Sequence, residues 1–400
     1  MAKDDQRTLT PRLRFPKFRK GKAWEQRQAG ELFTNRIEHG EEGLPIYSVT
    51  MDHGMVKRSS LDRKFDDIAD SEGNKKVHKN DIAYNMMRMW QGAFGVAVED
   101  CMVSPAYVVL TPQEGVSSDF FGRLLKTPSS LRTLTSQSHG LTKDRLRLYY
   151  KDFAQIPLPL PSLAEQQKIA DCLTSLDELI AAQGRKVEAL KAHQKGLMQQ
   201  LFPREAETLP RLRFPEFRNA PEWEEEVVGE VFKVTRGEVL AMPLVKDERT
   251  DDAPYPVYSS QTKNLGLAGY FSKHLYEDAI TWTTDGANAG DVNYRPGKFY
   301  CTNVCGVLIS EKGYANPCTA ALINNVSRQH VSYVGNPKLM NGVMAKICVA
   351  FPPLAEQQRI ADCLSTLDAR IAAETEKLAA LKTHKQGLMQ QLFPSPEEVV

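Results

Sequence analysis

The chain is built twice on one plan. Leu163-Ala-Glu-Gln-Gln-Lys-Ile-Ala-Asp-Cys-Leu173 returns as Leu354-Ala-Glu-Gln-Gln-Arg-Ile-Ala-Asp-Cys-Leu364, and Gly196-Leu-Met-Gln-Gln-Leu-Phe-Pro203 returns as Gly387-Leu-Met-Gln-Gln-Leu-Phe-Pro394. Both matches lie 191 residues apart, so the stretch between them aligns without a gap. Upstream, Arg12-Leu-Arg-Phe-Pro-Lys-Phe-Arg19 with Trp24 matches Arg211-Leu-Arg-Phe-Pro-Glu-Phe-Arg218 with Trp223 at a spacing of 199, as does Gly30-Glu-Leu-Phe33 with Gly229-Glu-Val-Phe232. The middle of the second copy is therefore eight residues shorter. Self-similarity of this length means duplication. The order is arm, variable block, long shared segment, then the same again. The blocks, about 35–160 and 234–351, show no obvious similarity to each other.

Residues 163–202 read as one long helix. Apolar side chains fall at Ile169, Leu173, Leu176, Ile180, Val187, Leu190, Leu197 and Leu201, in steps of four and three, with Gln183 and Gln194 in the gaps. The second copy gives Ile360, Leu364, Leu367, Ile371, Leu378, Leu381, Leu388 and Leu392, with Glu374 and Lys385 in the gaps. This is a heptad seam, and two matched seams in one chain most simply pack on each other. Core helices of separate domains are the plainer alternative. Ser162 with Glu165 fits a capping box, although the second copy has Pro353 at the cap, and Pro203 and Pro394 end the helices. Gly184, Gly196 and Gly387 weaken them by roughly 1 kcal/mol each against alanine. At ~1.5 Å per residue such rods reach roughly 60 Å. Polar groups in the seam would fix register at some cost in stability.

The variable blocks are strand-rich. Ala106-Tyr-Val-Val-Leu-Thr111, Ala279-Ile-Thr-Trp-Thr-Thr284 and Gly306-Val-Leu-Ile-Ser310 are β-prone runs, and Asp285-Gly286, Pro296-Gly297 and Gly335-Asn336-Pro337 read as turns. The block loops carry the side chains that read bases and hold phosphates. In the first block these are Lys57, Arg58, Arg63, Lys64, Lys75, Lys76, Arg88, Trp90 and Gln91; in the second, Gln261, Lys263, Asn288, Asn293, Tyr294, Arg295 and Lys298. Charge gives no support: residues 25–160 hold 17 basic and 18 acidic residues, and 224–351 hold 12 and 14. Surface loops are commonly polar in any case. The first arm is basic, with nine Lys/Arg against three Asp/Glu in Met1–Arg27, whereas residues 204–224 have four against five. What the arms share is the Arg-Leu-Arg-Phe-Pro and Trp pattern, which suits docking on a protein surface better than phosphate binding.

Other chemistry is missing. There is no P-loop, His-Glu-x-x-His, Gly-x-Ser-x-Gly or Asn/Asp-Pro-Pro-aromatic sequence; Asn316-Pro317 and Asn336-Pro337 read as turns. Cys301, Cys305, Cys318 and Cys348 invite zinc, but the three-residue spacing within a strand-like run favours buried apolar cysteines. His193 and His384, and Cys172 and Cys363, are repeat mates on the helices. No metal site is expected, and no residue is nominated as catalytic. No run approaches 18 apolar residues, Met1–Lys22 has no apolar signal core, and seven scattered cysteines suit a reducing cytoplasm.

The pattern resembles the DNA-specificity (S) subunit of type I restriction–modification enzymes. The likeness rests on the Leu-Ala-Glu-Gln-Gln-[Lys/Arg]-Ile-Ala segments at 163–170 and 354–361, on Gln199-Gln-Leu-Phe202 and Gln390-Gln-Leu-Phe393, and on the two Arg-Leu-Arg-Phe-Pro openings. Asp81-Ile-Ala-Tyr-Asn-Met-Met-Arg-Met-Trp-Gln-Gly92 with Ser104-Pro-Ala-Tyr107 is similar to one class of that family's target-recognition domains. The resemblance implies an α+β fold: two target-recognition domains of mixed strand and helix, held apart by two long repeated helices in an antiparallel coiled coil with a pseudo-twofold repeat. The expected division is 1–160 (arm and first recognition domain), 161–203 (first spacer helix), 204–352 (second arm and domain) and 353–400 (second spacer helix and tail). It implies a non-catalytic subunit that recognises an asymmetric bipartite target in double-stranded DNA. Two modification subunits using S-adenosylmethionine to methylate adenine would dock on it, with restriction subunits using ATP and Mg2+ for translocation and cleavage; this chain would hold no cofactor. A duplicated coiled-coil adaptor without DNA specificity and a self-contained nuclease or methyltransferase are the competing readings. The near-neutral blocks imply weak, salt-dependent DNA binding by the chain alone.

Overall fold

The computed structural model describes residues 9–61, 73–142, 145–204, 207–260 and 264–394. Two compact units form. The first takes residues up to Gln183 together with those from Lys377 onward; the second is Gly184–Glu376. The shared segments are two 39-residue helices, Leu163–Leu201 and Leu354–Leu392, and the division into units runs through both.

The expected seam faces inward. Ile169, Leu173, Val187, Ile360 and Leu364 are buried, and Leu176, Ile180, Leu190, Leu367, Ile371, Leu378 and Leu381 are half-buried. In the second unit Lys186 pairs with Glu374, and the Gln194 amide donates to Asp368 Oδ1 at 2.7 Å. The numbers rise along one helix as they fall along the other, so the helices are antiparallel. In the first unit Lys385 pairs with Asp177. Lys385 and Gln194 are repeat mates, as are Asp177 and Asp368, so each unit makes the same cross-helix contact. Gln194, Glu374 and Lys385, polar residues of the seam, thus each meet a polar partner on the facing helix, and these contacts select one register among the near-equivalent heptad alignments.

Asp177 also accepts from Arg123 Nη1 at 2.7 Å. Burial works to raise its pKa, but Lys385 and Arg123 outweigh burial and hold it below the usual aspartate value. A depressed folded-state pKa stabilises above the unfolded value, ~3.9, and that contribution fades as pH falls through the folded value. Asp177→Asn should therefore lower the melting temperature at pH 7, and the gap to the native protein should close between about pH 5 and pH 2. A gap that stays constant across that range would rule out the ion pairs as its source.

In the first unit four antiparallel strands, β1 (Phe33–Asn35), β2 (Ile82–Asn85), β3 (Phe94–Val96) and β4 (Tyr107–Pro112), lie in the order β1-β4-β2-β3. Their core is aromatic: Trp24, Phe33, Phe120, Phe121 and Phe153 are buried together with Leu392 and Phe393. The Phe393 ring lies 5.4 Å from that of Phe120, so the end of the second long helix completes the first unit's core. Leu201 and Phe202 play the same part in the second unit beside Trp223. The repeated Gln-Gln-Leu-Phe ends are therefore core plugs.

The largest sheet of the second unit has six strands among the described residues: β5 (Lys233–Arg236), β6 (Tyr255–Tyr258), β7 (Leu267–Phe271), β8 (Tyr276–Thr283), β9 (Val292–Cys301) and β10 (Cys305–Ile309). Their order is β5-β10-β8-β9-β6-β7, antiparallel except where β6 meets β9. The three β-prone runs of the sequence fall on β4, β8 and β10. Pro296-Gly297 does not end a strand. Gly297 takes φ +67° inside β9, opposite a register shift between Glu277 and Ala279, with Gly297 N–H bonded to Asp278 Oδ1 at 2.7 Å. The left-handed glycine expected of a turn here forms a β-bulge. Asn316-Pro317 is likewise more than a turn. Asn316 Oδ1 accepts from Thr319 N–H at 3.0 Å and Pro317 opens the helix Pro317–Ser327, an N-cap with proline at N1.

The arms dock inside their own units. Arg14 Nε and Nη2 reach the two oxygens of Glu165 at 2.7 and 2.6 Å, and Arg213 reaches Glu356 at 2.9 and 2.5 Å. Leu13 N–H bonds Gln391 O, and Leu212 N–H bonds Gln200 O. Arg14 and Arg213, and the backbone of Leu13 and Leu212, of the Arg-Leu-Arg-Phe-Pro pattern are therefore engaged within the chain. The expected capping box fails for the same reason: both oxygens of Glu165 go to Arg14, and in the second copy Pro353 has no N–H to offer Glu356. Gln166 and Gln357 close the helix starts, donating to Pro161 O and Pro352 O at 2.9 and 2.8 Å.

Candidate nucleic-acid interface

Arg63, Lys64, Gln261 and Lys263 lie outside the described residues. In the first unit most of the remaining basic candidates are held by the unit's own acceptors. Lys57 pairs with Glu99 at 2.9 Å. Lys76 pairs with Glu41 at 2.5 Å and approaches Glu38 at 3.6 Å. Lys75 is half-buried and donates to Tyr107 O at 2.6 Å; burial lowers its pKa. Arg58 is half-buried against Ser48 Oγ at 3.4 Å. A lysine already paired gains less from a phosphate, because one ion pair must be exchanged for another.

Arg88, Trp90 and Gln91 stay together. They sit on and beside a helical turn, Met89–Gln91, closed by Gly92 at φ +85°. Met89 anchors the turn in the core, which leaves Arg88 and Gln91 exposed. The Trp90 indole N–H donates to Met87 O at 3.0 Å, so its ring is fixed half-exposed beside them. Leu131 of the helix Pro128–Ser136 packs behind this turn, 3.5 Å from where a Gly92 Cβ would stand.

In the second unit the structure gathers Asn288, Asn293 and Arg295 around one cavity of about 250 Å³. Asn293 and Arg295 are two apart on β9 and share a face; Tyr294 between them points to the other. Tyr294 instead packs against the core and donates its hydroxyl to Asp278 at 3.1 Å, with burial raising its pKa to about 12. Lys298, beyond the bulge, is exposed and does not line the cavity. Arg295 is 7% exposed, and its guanidinium lies 3.8 Å from the Tyr258 ring centre. It donates to Thr281 Oγ1 at 2.9 Å and to Leu265 O at 2.7 Å; burial lowers its pKa. Leu265, at positive φ, is thus held over the cavity by a fixed cation.

Sequence reasoning missed Arg328 and Asn324, which line the same cavity from the helix side. Arg328 pairs with Asp291, and Asn324 Oδ1 accepts from Val292 N–H at 2.9 Å. Only the fold brings them to β9. Cys301, Cys305 and Cys318 are buried and Cys348 is exposed. Among the described residues no group of His, Cys, Asp and Glu is placed to hold a metal ion, and no helix is long and apolar enough to cross a membrane.

Comparison with known proteins places this architecture. The family described as "Type I restriction modification DNA specificity domain" matches twice, over residues 22–192 and 221–383. A putative type I specificity subunit of Mycoplasma pneumoniae, S.MpnORF201P, is 32% identical over 218 residues, 54% of this chain and 84% of its own length. The crystal structure of a type I restriction–modification S subunit from M. genitalium superposes with TM-score 0.64 at 17% identity, covering 96% of this chain and 99% of that one. A chain from a structure of complex assembly and conformational transition in the type I R-M system gives 0.54 at 16% identity, covering 93% and 97%.

Proposed function

The chain belongs to the type I restriction–modification DNA specificity family, and from that premise we propose that it reads a split, asymmetric DNA target, one half with each variable block. It is a specificity subunit, non-catalytic, that works within a type I complex of modification and restriction subunits on DNA. One observation carries the bipartite reading: a DNA-specificity domain occurs twice in the chain, and the two blocks within it differ.

In this reading residues 35–160 and 234–351 each contact one half-site. Asn288, Asn293 and Arg295 read the second half. Their amide and guanidinium groups match the base-edge pattern of adenine and guanine. Arg88 and Gln91 beside Trp90 read the first half. The antiparallel helices set the separation of the half-sites, and two modification subunits seat on the repeated surfaces and methylate adenine. A duplicated seat explains how one asymmetric chain holds two identical partners.

The test is a methylome. This chain is expressed with its cognate modification subunit in a methylation-free host, and the DNA is sequenced with detection of modified bases. The expected result is one asymmetric split motif, methylated on both strands. Exchange of residues 35–160 for another such block should change one half of the motif and leave the other intact. A purified complex that leaves the DNA unmodified and shows no sequence-dependent retention would favour the adaptor. Methylation or cleavage by the chain alone would overturn the non-catalytic reading.

A further inference from the structure

At one pair of matched positions the two copies carry opposite charge. In the first unit the strand Glu25–Gln28 pairs with Pro157–Leu160 and runs into the helix Ala29–Leu32. Arg27 on that strand reaches Glu25 Oε2 at 3.0 Å and Glu31 Oε2 at 3.3 Å, so one guanidinium answers two carboxylates. The second unit repeats this framework: Glu224–Val227 pairs with Cys348–Phe351 in the matching register and runs into the helix Val228–Val231. The mates of Glu25 and Glu31 are Glu224 and Glu230, but the mate of Arg27 is Glu226. Three carboxylates therefore stand where the first unit has two and the guanidinium between them.

All three line one cavity of about 260 Å³ that lies wholly within the second unit. They are exposed, and among the described residues no hydrogen bond or ion pair answers any of them. Glu222, a fourth lining carboxylate, accepts from Thr208 Oγ1 at 3.0 Å. Lys312 is the one cation among the lining residues, and no described carboxylate pairs with it. The remaining wall is apolar: Tyr314 and Phe351, with ring centres 6.2 Å apart, beside Pro352 and Pro353. An acidic wall repels phosphate, so DNA is not its occupant. Ligand pockets of ordinary size begin near ~300 Å³, and a smaller cleft open to solvent suits a side chain. Arginine fits this lining better than lysine, because its planar fork meets carboxylates in pairs and its face stacks on aromatic rings. The matched positions of the first unit already hold a guanidinium.

We propose that this groove is a docking site for an arginine presented by a segment of a partner protein, its guanidinium set among Glu224, Glu226 and Glu230 as that of Arg27 is set between Glu25 and Glu31. Charge complementarity names the partner's chemistry. Glu224, Glu226 and Glu230 carry three negative charges, whereas Glu25, Arg27 and Glu31 carry one net. The first unit supplies its own cation, and the second leaves the place to another chain. The groove therefore breaks the equivalence of the two copies, and its partner docks once per chain. None of its carboxylates belongs to the base-reading candidates, so this inference and the reading of DNA stand or fall separately.

The probe is a fluorescein-labelled hexa-arginine peptide, titrated into the full chain at low salt and followed by fluorescence anisotropy. Glu226→Arg rebuilds the first unit's arrangement, because the new side chain can pair with Glu224 and Glu230. It should weaken binding about tenfold or more without lowering the melting temperature. Glu25→Gln with Glu31→Gln, at the matched positions of the first unit, should change binding by less than about twofold. Hexalysine should bind more weakly than hexa-arginine. If Glu226→Arg fails to fold, Glu226→Gln with Glu230→Gln, both at exposed positions, should still weaken binding relative to the first-unit pair. Absence of peptide binding, or equal weakening by the variants of the two units, would overturn the proposal, and equal affinity for hexalysine would reduce the groove to a general acidic surface. Sedimentation supplies a further check. A native dimer that Glu226→Arg dissociates would make the occupant a second copy of this chain and would likewise overturn it.

Discussion

Glu356→Ala is expected to destabilise the protein by about 3–5 kcal/mol, and Glu165→Ala by less. Glu356 is 1% exposed, and its partner Arg213 has a side chain 8% exposed. Removing the carboxylate leaves a buried guanidinium with only Ala220 O at 2.9 Å and Pro221 O at 3.2 Å. Such a truncation is costly because the surviving charge stays desolvated, whatever the intact pair contributes net. The two copies differ in one donor. Trp223 Nε1 donates to Glu356 Oε2 at 3.2 Å, whereas Trp24 Nε1 is buried with no hydrogen-bond partner. Loss of Glu356 therefore orphans an indole N–H as well, adding about 1 kcal/mol or more. Chemical denaturation of both variants measures the difference. Equal losses would mean that the Trp223 bond contributes nothing to stability.

That pair also marks how far the sequence could be read. The repeat, the seam and the helix ends at Leu201 and Leu392 were legible because heptad spacing and terminal prolines are local signals. The purpose of the arm was not, because Arg14 and Glu165 are 151 residues apart in sequence. Read locally, Glu165 looked like half of a capping box. The DNA-reading candidates were legible as residue types only. Lys57 and Lys76 look alike with Arg88 in sequence, and only the fold shows Glu99 and Glu41 beside the lysines. On β9 the strand's own alternation decides: Asn293 and Arg295 reach the cavity, and Tyr294 cannot. At Pro296-Gly297 the chemistry was read correctly, a positive φ, but a bulge and a turn ask for the same glycine.

The second large effect concerns β8, the strand beside the one that carries Asn293 and Arg295. Trp282→Ala should cost about 3–5 kcal/mol, the range for deleting a buried aromatic side chain. Trp282 is 1% exposed, its indole N–H donates to Leu339 O at 2.9 Å, and its ring lies flat on Gly306 of the neighbouring strand. A Cβ built on Gly306 would stand 2.1 Å from the ring. The glycine there is required by close approach, not by a positive φ. Gly306→Ala should then cost about 1–3 kcal/mol or more, by forcing the ring out of its site. Since the same steric conflict underlies the second substitution, the two are not independent. In the Trp282→Ala background the Gly306→Ala penalty should largely vanish, giving an interaction energy of about 1–3 kcal/mol in a double-mutant cycle. Additive losses would place the glycine's constraint elsewhere. Trp282 adjoins Thr281, which fixes Arg295, but their side chains take opposite faces of β8, so the ring bears on Arg295 through the strand backbone. If Arg295 reads the second half-site, Gly306→Ala should relax that half of the methylated motif while the first half stays as sharp as in the native protein. Equal loss in both halves would mean the ring supports folding alone and holds no part of the reading surface.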